Sequence, residues 1–300
     1  MCRADAQAPS HRAPRRIALA LAGAAAALSF AAIFFRLAAP THPLVAAGFR
    51  LVVAATLLLP LTLRARAAGR LTATVLRLGA AAGLLYGVHF GAWVASLGLT
   101  SVAASVTIVT ATPLLLATVA LVSGRDRPER RLWGALGLGV VGVATIGASH
   151  AGGGDALAGD ALAALGAAAM AGYLLVARRL GHALPVLAFA GVATAVGGVA
   201  LLGAAAALGH SPLPPTAEAA GWLVLAALVP QLVGHTLLTW ALRWTTPTAV
   251  GISTLGEPVS ATLLGWAVLA EVPSPGVLAG CAVTLAGVVV AARASRTAPP

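Results

Sequence analysis

Apolar runs long enough to cross a bilayer follow one another along almost the whole chain, and they restrict what it can fold into. A spanning helix needs about 20 predominantly apolar residues, and lipid offers no partner to an unpaired backbone group. Runs of this length therefore read as transmembrane helices. By apolar length and loop breaks they fall at about 17–38, 43–62, 77–97, 101–123, 132–149, 159–177, 184–208, 219–241, 247–270 and 275–292. The first run follows a basic segment and has the outline of a secretory signal. It exceeds an h-region of about 7–15 residues and more apolar runs follow it, so it reads as a first span. Only 9% of residues are charged, against about 25% in an ordinary soluble domain.

The arginines test this count. Basic loops of a membrane protein stay on the cytoplasmic side. With the N-terminus inside, the inner segments carry Arg3, Arg12, Arg15 and Arg16, then Arg64, Arg66, Arg70 and Arg77, then Arg125, Arg127, Arg130 and Arg131. They continue with Arg178, Arg179, Arg243, Arg293 and Arg296. The outer segments hold Asp155, Asp160, Glu218 and Glu271 and no arginine. One missed helix would invert every later loop, so both termini are expected to be cytoplasmic. The same positions explain the net charge of +11 without a nucleic-acid partner.

Pro113 and Pro258 lie 145 residues apart. The same offset pairs Asp126 with Glu271, Pro128 with Pro273, Gly142 with Gly287, Thr100 with Thr245, and Thr112 with Glu257. The chain thus divides into a disordered tail (1–16), a five-helix repeat (17–149), a Gly-rich outer loop (150–158), a second five-helix repeat (159–292) and a tail (293–300). An odd number of helices makes the second repeat enter the membrane from the opposite side. Inverted repeats of this kind put a substrate site near the midplane between the halves.

Several segments in this order resemble the drug/metabolite transporter superfamily, in particular bacterial EamA-type proteins with two five-helix domains. They are Ala47-Gly48-Phe49-Arg50, the stretch from His89 to Ala103, Thr112-Pro113, Leu255-Gly256-Glu257-Pro258 and Ala270-Glu271. Gly142 and Gly287, in the last helix of each repeat, also fit. Arg36 stands where many relatives carry lysine, and the first repeat ends in Asp126 where glutamate is usual. The resemblance implies an all-α membrane carrier, often an exporter, of small metabolites such as amino acids, or of drugs.

Glu257 is the leading site candidate. An ionisable group at bilayer depth costs several kcal/mol or more and marks a functional site by default. It can bind an amine or cation, carry a coupling proton, or serve only as a structural group met by Ser253 and Ser260 on its own helix face. Pro258 removes the helical hydrogen bond to the Thr254 carbonyl, which calls for polar surroundings; Pro113 and Pro258 are predicted kinks. Arg50 lies about 10 Å into its span, at 1.5 Å per residue. It must be paired or hydrated there, with a substrate carboxylate, Glu257 or helix-end carbonyls as partners. Arg36, near a helix end, is expected to snorkel.

Tyr86, His89 and Trp93 form one stripe on the third helix, and Gln231 with His235 an i, i+4 pair on the eighth. They read as walls of one cavity, or as interhelical hydrogen bonds worth about 0.6 kcal/mol each. Asp126 and Glu271 read as salt-bridge or loop-capping groups. Trp133, Trp222, Trp240 and Trp244 lie near span ends, as belt anchors do.

Enzyme signatures fail. All 19 basic residues are arginine, so no Walker A lysine exists. There is no His-Glu-x-x-His, and the run Gly152-Gly153-Gly154 follows no strand. Cys2 and Cys281 form no framework. No catalytic residue, metal or cofactor is expected. The partners expected are a small solute and membrane lipids, with the driving force either the proton gradient through Glu257 or plain facilitated diffusion. The sequence thus predicts a monomeric secondary transporter of a bacterial plasma membrane, working by alternating access. A non-transporting sensor or scaffold on the same fold is the alternative.

Overall fold

The computed structural model describes residues 12–124, 130, 132–148, 154–181 and 185–296. Asp126, Gly152, Gly153 and the segments 1–11 and 297–300 lie outside the described residues. Among the described residues the chain is helical throughout, with no strand. In order the helices are α1 (Arg12–Leu28), α2 (Ala31–Leu37), α3 (Pro43–Ala67), α4 (Ala73–Ser96), α5 (Val102–Val109), α6 (Thr112–Ser123) and α7 (Leu132–Ala148). The second half has α8 (Gly154–Arg178), α9 (Val186–Ala207), α10 (Ala217–Ala226), α11 (Thr236–Ala241), α12 (Pro247–Ser253), α13 (Glu257–Leu269) and α14 (Pro275–Arg296).

Eight bodies among the described residues are long and apolar enough to cross a membrane: α1–α2, α3, α4, α5–α6, α8, α9, α10–α11 and α12–α13. α7 and α14 contain shorter apolar stretches, Trp133–Thr145 and Leu278–Gly287. Helices also overrun the apolar runs. α1 takes in residues 12–16, α8 begins at Gly154, and α14 reaches Arg296. Apolar length measures what lipid must cover, whereas backbone hydrogen bonding continues into polar flanks.

Local chemistry sets the helix starts. Thr72, Ser101, Thr216 and Thr246 each accept from the backbone N–H three residues on, capping α4, α5, α10 and α12. Pro43 and Pro247 sit in the first turn of α3 and α12, where a missing N–H costs no hydrogen bond.

Four bodies are interrupted. α1 gives way to α2 at Ser29-Phe30. α5 and α6 break at Thr110-Ala111, just before Pro113, and α12 and α13 are joined by a tight 3₁₀ turn, Thr254–Gly256, just before Pro258. The eighth body widens into a π-helical segment, Ala227–His235, with Pro230 inside it. Hydroxyls accompany the proline breaks: Thr112 Oγ1 donates to the Val109 carbonyl at 2.9 Å and Thr254 Oγ1 to that of Gly251 at 2.8 Å. The Thr254 carbonyl, expected to be freed by Pro258, accepts instead from the Glu257 N–H.

Two of the equivalent helix pairs of the two halves pack along their lengths. α3 and α9 run antiparallel, with Gly48 against Leu202, Gly198 against Val52 and Gly191 against Thr62. α7 and α14 run antiparallel too. A Cβ on Gly142 would fall 2.2 Å from Thr284 Oγ1, and one on Gly287 3.0 Å from the Ala135 carbonyl oxygen. α4 lies between α8 and α9, where Gly166 meets Trp93 and Gly197 meets the Gly83 carbonyl. Small residues let backbones approach closely, which is how helices associate without a hydrophobic driving force between them.

At one end of the bundle Arg36, at the end of α2, forms an ion pair with Glu271, just beyond α13. Arg36, expected to snorkel from its helix end, is paired there, and Glu271 is the salt-bridge group the sequence suggested. At the same end of the α3–α9 pair, His42 stacks on His210 with ring centres 3.8 Å apart.

Candidate functional site

The interrupted bodies converge. Thr112 is the first residue of α6 and Glu257 the first of α13, and Gly251 of α12 packs on Pro113. Both Thr112 and Glu257 line a cavity of about 50 Å³, together with His89, Trp93, His235 and Thr254. That is room for a few waters and well below the 300–1,000 Å³ of a typical small-molecule site.

Glu257 is buried, at 8% exposure. The hydroxyls expected to cap it are engaged elsewhere or turned away: Ser253 Oγ donates to the Val250 carbonyl at 2.6 Å, and Ser260 is exposed. The carboxylate stands at the start of α13, where the helix dipole favours negative charge. Among the described residues it has no ion-pair partner. His89 lines the same cavity. Its Nδ1 donates to the Gly166 carbonyl at 2.8 Å, which sets the tautomer of the neutral ring. Trp93 Nε1 is buried with no hydrogen-bond partner among the described residues. The cavity wall thus holds an acceptor carboxylate and an unused indole donor.

Arg50, Tyr86 and Gln231 lie behind this wall. Arg50 is fully buried. Its Nη2 donates to Gln231 Oε1 at 2.6 Å, and Gln231 Nε2 donates to the Tyr86 hydroxyl at 3.2 Å. The guanidinium lies over Phe90, 3.9 Å from the ring centre, and Phe90 itself lines the cavity. Arg50 Nε and Nη1 find no acceptor among the described residues, and Arg50 forms no ion pair with Glu257. Cation–π contact with Phe90 and Phe35 supplies part of the missing stabilisation.

The seven residues singled out from the sequence therefore separate into two groups. His89, Trp93, His235 and Glu257 face the cavity; Arg50, Tyr86 and Gln231 form a hydrogen-bonded chain behind Phe90. The π-helical segment supplies both Gln231 and His235, one to each group. π-bulges often mark functional sites.

Tyr173 of α8 was not singled out. It stacks on Tyr86 at 4.3 Å, and its hydroxyl lies 2.9 Å from Thr239 Oγ1. A lone tyrosine in an Ala-rich run was the signal available.

The sequence matches the EamA-like transporter family twice, over residues 15–148 and 157–293. The chain belongs to the EamA-like transporter family. The family is one of membrane transporters of the drug/metabolite type, and the two matches correspond to the two halves of the fold. No curated protein sequence matches this EamA-like chain. A solved structure, described only as the crystal structure of a protein, superposes on it with a TM-score of 0.71. The superposition covers 94% of this chain and 99% of the other at 18% identity, a likeness of fold alone.

Proposed function

We propose that this EamA-like protein is a secondary exporter of small amine-bearing solutes, amino-acid-like or drug-like, in a bacterial plasma membrane. The observation that carries this reading is Glu257, a buried carboxylate without an ion-pair partner among the described residues, in the wall of a cavity built from both repeats. A solute ammonium would pair with it, and Trp93 Nε1 would donate to a polar group on the same solute. The aromatic and aliphatic remainder of the wall suits an apolar body.

The cavity is too small for such a solute as it stands, so entry requires the half-helices α5–α6 and α12–α13 to part. Alternating access follows, with the breaks before Pro113 and Pro258 as the flexing points. α7 and α14 complete ten spans, both termini are cytoplasmic, and one chain suffices to build the cavity. Glu257 is also the residue that would exchange a coupling proton once the solute leaves.

Metabolite profiling of the medium tests this, in cells overproducing the wild type, the Glu257→Gln variant or neither. A compound enriched outside by the wild type alone supports export through Glu257. Enrichment by both proteins removes Glu257 from the mechanism. No enrichment by either removes export, and a non-transporting role then stands. A transport rate that stays flat from about pH 5 to 9, the range in which a buried carboxyl titrates, removes the proton.

A further inference from the structure

At the end of the bundle opposite the Arg36–Glu271 pair, three distant segments close around a cleft of about 650 Å³. The end of α3 contributes Leu61 and Arg64, and the following turn Arg70. Pro185 and the first residues of α9, including Leu187, contribute from a second side, and the end of α11 with its following turn contributes Trp240 and Arg243. Three guanidinium groups line this cleft and no carboxylate does. None of the three has an ion-pair partner among the described residues.

Two further features ask for an anion. Arg243 is half-buried, its guanidinium carbon 5.7 Å from the Trp244 ring centre, and its Nε is buried without a hydrogen-bond acceptor among the described residues. A buried donor without an acceptor is costly, so an acceptor that arrives from outside the chain is favoured. The second feature is α9 itself. It is 22 residues long and no side chain caps its N-terminus. Its first residues, Val186 to Ala188, line the cleft, which puts the positive end of its dipole there, as in phosphate sites at helix N-termini.

The cleft also has an apolar side. Leu61 and Leu187 line it while 38% and 42% exposed, and Trp240 stands beside them. A free inorganic anion gains nothing from exposed leucines. A phosphate attached to acyl chains does, because the chains lie along them.

We propose that this cleft binds the phosphate of an anionic phospholipid, held by Arg64, Arg70, Arg243 and the start of α9. A zwitterionic headgroup is disfavoured, since its cation would meet three arginines and no acid. The orientation proposed above places the site in the inner leaflet. The chemistry of the cleft does not depend on that orientation or on what the protein transports.

The test is thermal unfolding of the purified full-length protein in neutral detergent, which has no sidedness. Phosphatidylglycerol, phosphatidylcholine or inorganic phosphate is titrated at constant ionic strength. Phosphatidylglycerol is expected to raise the melting temperature saturably, and the other two are expected to leave it unchanged. Arg64 and Arg70 are both exposed, so their replacement does not threaten folding. The Arg64→Gln/Arg70→Gln double variant is expected to bind phosphatidylglycerol roughly thirtyfold more weakly, from about 1 kcal/mol per arginine. Arg77→Gln, an exposed arginine of the same end outside the cleft, is expected to bind as the wild type does. An equal gain from phosphatidylcholine overturns the proposal. So does unchanged binding in the double variant, or an equal loss in Arg77→Gln. A gain from inorganic phosphate matching that from the lipid assigns the cleft to a soluble anion and overturns the lipid.

Discussion

Arg50 and Gln231, from helices 181 residues apart in sequence, meet in a buried 2.6 Å hydrogen bond that anchors a guanidinium inside the bundle. Among the described residues the amide accepts the hydrogen bond from this charge, beside its contacts with the Phe90 and Phe35 rings. Gln231→Ala is expected to destabilise the protein by about 1.5–3 kcal/mol, the range for hydrogen bonds to charged groups. Gln231→Glu, which offers a carboxylate at the same place, is expected to retain most of the stability. Melting temperatures in detergent check both; a Gln231→Ala variant that melts like the wild type shows that Arg50 has another partner.

The α7–α14 seam gives a test by contrast. Gly142→Ala places a methyl against Thr284 and the Gly280 carbonyl, so the two helices must separate. A cost of about 1–3 kcal/mol is expected from such overpacking. Gly137, on the same helix, has nothing within 4 Å of a built Cβ. Gly137→Ala is expected to change stability in the opposite direction, by up to about 1 kcal/mol, from helix propensity alone. Paired unfolding curves read the two signs.

Ala270 closes α13 in the left-handed region, at φ 56°. An L-residue there carries roughly 1 kcal/mol of steric cost that glycine does not. Ala270→Gly is expected to raise stability by up to about that amount. A lower melting temperature would show that the added freedom of the unfolded chain outweighs the relief.

His42 and His210 give a pH dependence outside the spans. Partial removal from water, and then the facing His210, hold His42 below its ordinary value of 6.5. Near pH 6 the unfolded chain therefore binds more protons at this position than the folded one. The stability linked to His42 is complete above about pH 6.5 and is lost as pH falls below it. His210→Gln, which removes the facing imidazole, is expected to flatten this loss. Melting temperatures of both proteins between pH 7.5 and 5, a window of about one unit or more on each side of an imidazole's ordinary value, decide it by their slopes.

Much of this architecture was legible before any coordinates. Apolar length located the helical bodies because lipid imposes that length, and the prolines located two breaks because they cannot donate. Polar residues in apolar runs pointed to Glu257, His89 and His235 for the same reason of cost. The π-helical segment at Ala227–His235 was not legible. Pro230 permits it, but tertiary packing decides between a kink and a wide turn. The Arg36–Glu271 pair was hidden for another reason: each residue was visible at its helix end, but a contact across 235 residues leaves no periodicity. Which of the buried polar groups face the cavity and which stand behind Phe90 depends on side-chain directions at one crossing, below the resolution of a span assignment.

The matched positions Thr112 and Glu257 are alike in place and unlike in chemistry. Two halves with the same residue there would offer a visitor two equivalent berths, and it could lie either way round. With a hydroxyl in one half and an acid in the other, the cavity has a head and a foot. An amine-bearing cargo of the kind proposed above would then take one heading between the halves, its positive end toward the half that carries the acid.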